Sequence, residues 1–103
     1  MKTIKVERIK PANLIIATIL TPKGHTVRVE VDLEYKKALL YQDGHYAGTA
    51  DVRTWGCCYG ANDCPNPGAE LECDARLGAP DGSETDEAYE SLERIIAYER
   101  SEW

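Results

Sequence analysis

The segment TVRVEVDLEY (residues 26–35) limits the fold more than any other stretch, because apolar and charged residues alternate strictly along it. In an extended strand, successive side chains point to opposite faces of the sheet. One face would carry the five apolar residues Val27, Val29, Val31, Leu33 and Tyr35. The alternation therefore predicts a half-buried strand with one solvated face, as in antiparallel sheets.

Segments with strand-like patterns lie on both sides of it. TIKVERI (3–9) alternates, and NLIIATIL (13–20) is apolar almost throughout, as expected for a central strand covered on both faces. The dipeptide Asp43-Gly44 is a strong hairpin signal between KKALLYQ and HYAGTADV. We therefore predict an antiparallel β-meander of four to five strands over about residues 2–53.

The end of the chain has a helical pattern instead. Ser83 and Asp86 have the spacing of a capping box, and acidic residues crowd the first turn, where the helix dipole favours them. An apolar stripe follows on one face: Tyr89, Leu92, Ile95, Ile96 and Trp103. Packed on the sheet, this helix at about 84–101 gives one α+β domain over 1–103, with a loop at about 54–83.

The loop carries all four cysteines of the chain: Cys57, Cys58, Cys64 and Cys73. A loop of this length in a compact domain is normally functional or tied down. Zinc held by the four thiols is one explanation, but the spacing lacks a C-x-x-C pair. Disulfides are a second explanation, which a reducing compartment opposes. Simple burial of small thiols is the third.

Few residues suggest catalysis. A reactive thiol needs a nearby base, and the two histidines, His25 and His45, fall at predicted turns. No glycine-rich phosphate loop follows a strand. We therefore predict a non-enzymatic protein without a cofactor. The alternatives are a thiol enzyme and a zinc-stabilised interaction module built on the cysteine loop.

The apolar run LIIATIL (14–20) is too short to span a bilayer, and no small-residue cleavage site follows it. We therefore expect a cytoplasmic protein that does not bind membranes. The run is better explained as a core strand.

Charge is distributed unevenly along the chain. Residues 1–69 carry nine Lys or Arg and seven Asp or Glu, whereas residues 70–103 carry three and eleven. Phosphate binding requires a basic surface, so nucleic acid is not expected as a direct partner. A basic surface on another protein fits the acidic half of the chain, and plain solubility is the alternative explanation.

The aromatic residues suggest how such a partner is contacted. Phe is absent, whereas Tyr occurs six times, and tyrosines anchor protein interfaces at low entropic cost. The predicted contact residues lie in the cysteine loop and on the helix: Tyr59, Glu87, Glu90, Glu93 and Tyr98.

Two segments, TVRVEVDLEY and DEAYESLERIIAYERSEW, give the chain a general resemblance to small phage-encoded inhibitors, including some anti-CRISPR proteins. The likeness lies in the overall build, a short meander followed by an acidic helix. It implies an inhibitor in the host cytoplasm that occupies a basic nucleic-acid-binding surface or a subunit interface of a defence complex such as a CRISPR effector.

Overall fold

The computed structural model describes residues 1–9, 12–55 and 68–101. In chain order the elements are β1 (Lys2–Ile9), β2 (Leu14–Leu20), β3 (Thr26–Asp32), β4 (Lys37–Gln42), β5 (His45–Trp55), β6 (Gly68–Glu72) and α1 (Thr85–Ser101). Each strand pairs antiparallel with the next, so the sheet order is β1-β2-β3-β4-β5-β6. The predicted α+β meander with a C-terminal helix is confirmed, but the strand count of four to five is wrong, since the sheet has six.

The additional strand is β6, which lies inside the segment predicted as a loop. It pairs with the end of β5, from Asp51 opposite Glu72 to Trp55 opposite Gly68. Ala69 and Leu71 are buried, whereas Glu70 and Glu72 are exposed, which is ordinary strand alternation. The alternation covers only five residues and follows a stretch rich in Pro and Gly, so the sequence pattern does not separate it from a loop.

The helix packs on one face of the curled sheet, against β6, β2 and β3. Ala88, Leu92 and Ile96 are fully buried on the helix side of this contact. The inner face of the sheet supplies alternate residues from every central strand: Ile15, Ala17, Ile19, Val27, Val29, Val31, Ala38, Leu40, Ala50 and Val52. Burial of these side chains supplies the main driving force for folding.

Strand β2 is covered on one face, not on both as its sequence predicts. Ile15, Ala17 and Ile19 are completely buried, whereas the residues between them are only half-buried. Strand β3 also ends earlier than its alternation suggests. The Asp32 carboxylate accepts the backbone N–H groups of Glu34 and Tyr35, which turns the chain and leaves Tyr35 72% exposed.

The segment between β6 and α1 is held by polar contacts with the ends of the sheet. The Gln42 side-chain amide makes the two hydrogen bonds to Gly78 that a backbone peptide group of a neighbouring strand would make. Its Oε1 accepts the Gly78 N–H at 2.7 Å, and its Nε2 donates to the Gly78 carbonyl at 2.9 Å. Leu77 is fully buried beside this pair. The second half of the predicted loop is therefore fixed by packing and hydrogen bonds.

Glu84, rather than Ser83, occupies the N-cap position, because the first helical backbone bond runs from Ala88 N–H to the Glu84 carbonyl. The Glu84 side chain turns inward and accepts the backbone N–H groups of Lys23 and Ala79 at 2.9 and 3.1 Å. Ser83 instead contacts the Lys23 ammonium through its hydroxyl. The predicted capping box is therefore wrong, because the side chains of Ser83 and Glu84 bind Lys23 in the β2–β3 turn instead.

Burial alone would raise the pKa of the Glu84 carboxyl. The hydrogen bonds from the Lys23 amide, the Thr21 hydroxyl and the Ala79 amide outweigh this effect, so the pKa lies below its usual value. Glu84 thus joins the β2–β3 turn to the start of α1 as an ionised, hydrogen-bonded carboxylate.

Over residues 1–9, 12–55 and 68–101, no helix is long and apolar enough to cross a membrane.

Candidate functional site: an acidic face on β6 and α1

The charged side chains on the outer face of the sheet largely neutralise one another. Four ion pairs lie there: Lys5–Glu7, Arg28–Glu30, Lys37–Asp51 and Arg53–Glu72. Each pair has at least one exposed partner and is open to solvent, so it adds little stability. Their joint effect is electrostatic, because within each pair a cation lies beside a carboxylate and the two charges largely cancel.

The opposite situation holds on β6, on the residues after it and on the first half of α1. Five exposed carboxylates there form no ion pair within the described part of the chain: Glu70, Asp74, Asp86, Glu87 and Glu90. Together with Glu93 we call this surface the acidic face. Uncompensated charges of one sign produce a potential that extends about 8–10 Å into solvent at physiological salt.

Glu93 has a structural contact as well as a charge. Its Oε2 accepts the Leu71 backbone N–H at 2.8 Å, so a helix carboxylate caps the free edge of β6. Burial raises the pKa of Glu93, and the neighbouring Glu70 and Glu90 raise it further, against the effect of the hydrogen bond. Glu93 therefore connects helix and sheet at the centre of the acidic face.

Beside Glu93, Tyr89 and Cys73 lie at the junction of β6 and α1. The Tyr89 hydroxyl donates to the Ala75 carbonyl at 2.7 Å, and the Cys73 Sγ accepts the Ala75 N–H at 3.4 Å. Burial, followed by the contact with Cys73, raises the pKa of Tyr89 above its usual value. These contacts fix the start of the segment that leads to the helix.

The predicted zinc ligands are only partly within the described chain. Cys73 is a half-buried thiol, whereas Cys57, Cys58 and Cys64 lie outside the described residues. No group of three metal-ligating side chains occurs among residues 1–9, 12–55 and 68–101. Zinc binding by the cysteine loop stays a prediction.

The structure brings together three of the predicted contact residues and separates a fourth. Glu87 and Glu90 are exposed, and Glu90 lies close enough to Glu93 to affect its pKa. Tyr98 is 63% exposed but lies about two helical turns beyond Glu90, beside β1. Tyr59 lies outside the described residues.

Sequence reasoning missed three members of the acidic face: Glu70, Asp74 and Asp86. The alternation of Ala69 and Leu71 with glutamates is a local sign of a strand at Glu70, but over five residues it is too short to distinguish a strand from a loop. Asp86 lies on the helix itself, whereas the grouping of Glu70 and Asp74 with the helix depends on the pairing of β6 with β5 and the packing of β6 against α1, which no local pattern reveals.

Comparison with protein-family models, curated proteins and solved structures finds no match to this chain. The acidic face is therefore interpreted from its own geometry and charge.

Proposed function

We propose that this chain is a small, acidic, non-enzymatic binding protein whose acidic face docks on a basic surface of another protein. The observation that carries the proposal is the difference between two surfaces of one molecule. Within residues 1–9, 12–55 and 68–101, the outer sheet face pairs its cations with carboxylates in four ion pairs, whereas five exposed carboxylates of the acidic face form no ion pair. Glu70 lies opposite Arg53 in the strand register, but the Arg53 guanidinium pairs with Glu72.

An arrangement of this kind acts first on the rate and specificity of association. A one-signed surface steers a partner of opposite charge and disfavours partners of like charge, and it does so less at high salt. The support beneath it is rigid, because Leu92 and Ile96 are fully buried and Glu93 is bonded to β6. Rigid placement lowers the entropic cost of binding.

The finer form of the proposal concerns the target. A basic surface that normally holds nucleic acid, such as one on a CRISPR effector, has the charge that this face would complement. Support for that target comes from the charge and from the resemblance in build to phage-encoded inhibitors.

The test compares two double variants that change the net charge equally. Glu87→Lys with Glu90→Lys alters the acidic face, and Glu34→Lys with Asp51→Lys alters exposed residues elsewhere. Each purified protein is used to capture partners from a bacterial lysate, with washes of increasing salt. We expect the first pair to lose the partner that the wild type and the second pair retain, and that partner to elute from the wild type as salt rises.

Thermal unfolding of each variant guards against misfolding, and exposed substitutions should leave the melting temperature within a few degrees. Equal loss of the partner in both double variants would mean that net charge alone matters. Retention of the partner by the first double variant would refute the acidic face as the contact surface.

A further inference from the structure

The two edge strands of the sheet, β1 and β6, differ in what packs beside their outer edges. At the β6 edge, the Leu71 N–H is capped by Glu93 and α1 packs alongside. At the other edge, β1 pairs with β2 on one side, and no strand of the described residues pairs with its second side. An open edge presents a row of backbone donors and acceptors, to which an extended peptide can add as a further strand.

A regular template for such pairing lies in the second half of β1. The register shifts between Thr3 and Lys5, which leaves Ile4 outside the regular ladder and 52% exposed. From Lys5 to Ile9 the register with β2 is unbroken. The bulge limits pairing to this five-residue stretch, since bulges terminate or redirect strand addition.

An apolar groove of about 370 Å³ lies beside this stretch, between β1 and the second half of α1. Its walls are formed by Val6, Arg94, Ile95, Tyr98 and Glu99. Val6 and Ile95 are each only half-buried, so both contribute apolar surface to the groove. In strand addition the backbone bonds supply affinity, and a pocket for alternate side chains supplies specificity.

The charge around the groove is opposite in sign to that of the whole protein. Strand β1 carries Lys2, Lys5 and Arg8 against Glu7, and the groove wall carries Arg94 against Glu99, in a chain with a net charge of −6. Lys5 pairs with Glu7 and the Arg8 guanidinium donates to the Glu99 carbonyl, so the excess of four cations over two carboxylates is a modest one. An acidic segment is favoured here. A second copy of β1 carries the same excess of basic residues, so its net charge is repelled by this edge, whereas an acidic segment is attracted.

We propose that β1 binds an extended acidic peptide segment by strand addition along Lys5–Ile9, with one apolar side chain of the peptide in the groove between Val6 and Ile95. This surface shares no residue with the acidic face, so its failure and the failure of the proposed function are separate results.

The probe is a capped nine-residue peptide of alternating valine and aspartate, titrated into the ¹⁵N-labelled full chain and followed by NMR. We expect saturable binding with a Kd tighter than about 1 mM. Shifts should concentrate in β1 and in Arg94–Glu99. Two control peptides are a valine–lysine version and a version N-methylated at alternate residues, which cannot form the strand ladder; both should bind at least tenfold more weakly.

A charge-reversal variant and its control complete the test. Lys5→Glu with Arg94→Glu should weaken the acidic peptide about tenfold and improve binding of the valine–lysine peptide. Lys36→Glu with Lys37→Glu makes the same charge change at the β3–β4 turn and should leave both affinities nearly unchanged.

Three results would overturn the proposal: no saturable binding, equal binding of the N-methylated peptide, or shifts centred away from β1. Sedimentation of the free chain adds a fourth. A dimer that protects the β1 amides from hydrogen exchange would show that a second copy occupies this edge instead.

Discussion

Replacing Gln42 by Ala tests how the segment between β6 and α1 is held. Gln42 is half-buried, and its side chain makes both a donor and an acceptor bond to buried Gly78. A net intramolecular hydrogen bond contributes about 1 kcal/mol, and a buried N–H left without an acceptor costs about 1 kcal/mol more. We therefore expect Gln42→Ala to lower the free energy of unfolding by about 2–3 kcal/mol.

Gln42→Glu separates the donor from the acceptor. The introduced carboxylate still accepts the Gly78 N–H, but its second oxygen faces the Gly78 carbonyl at neutral pH. Protonation of that carboxyl restores a donor, so the folded state of the variant binds a proton more tightly than the unfolded state. The loss in free energy of unfolding relative to the wild type should therefore shrink as pH falls towards about 4.

The assay is urea unfolding followed by circular dichroism, with the wild type measured at each pH. For a chain of 103 residues a loss of 2–3 kcal/mol corresponds to a drop in Tm of about 10–15 °C. Lys37→Ala, also on β4, is the control; it removes an exposed ion pair with Asp51 and should cost under about 0.5 kcal/mol. A Gln42→Ala variant as stable as this control, or a Gln42→Glu deficit that does not change with pH, would refute the reasoning.

Three further predictions concern the same region and the acidic face. Gly78→Ala should destabilise the fold more than Gly24→Ala, because both have positive φ but only Gly78 would place a Cβ against the Glu84 side chain; equal Tm values would contradict this. Hydrogen bonds from Ser83 lower the pKa of Asp81 to about 2. The ionised Asp81 carboxylate therefore stabilises the fold at any pH above its pKa in the unfolded chain, and this stabilisation is lost as pH falls towards 2. Asp81→Asn should therefore flatten the unfolding profile between about pH 4 and 2, and an unaltered profile would count against it. The raised pKa of the Glu93 carboxyl has the opposite consequence for stability. Its contribution to the free energy of unfolding is present at acidic pH and is lost as pH rises through the folded-state pKa. Glu93→Gln should therefore be neutral or stabilising at pH 7, as measured by urea unfolding. A clear loss of stability at pH 7 would show that the charged hydrogen bond outweighs burial.

Several elements could be predicted from the sequence because their signals are local. The alternation of Val27, Val29 and Val31 places all three at zero exposure, as a period of two requires. The helix begins at Thr85 and ends at Ser101, close to the predicted 84–101, because a period of 3.6 places Leu92 and Ile96 on one face. Part of the proposed contact surface was predictable as well, since Glu87 and Glu90 are exposed on that helix.

The tertiary structure alone decided which polar groups meet. Nothing local indicates that Gln42 replaces a backbone partner for Gly78, or that Glu93 caps the Leu71 N–H of a sixth strand. The covalent geometry of the chain fixes a residue's face within its own strand or helix. The partner of a side chain depends on which backbone groups remain unpaired after distant elements come together, so the acidic face and the open β1 edge emerge only from the assembled fold.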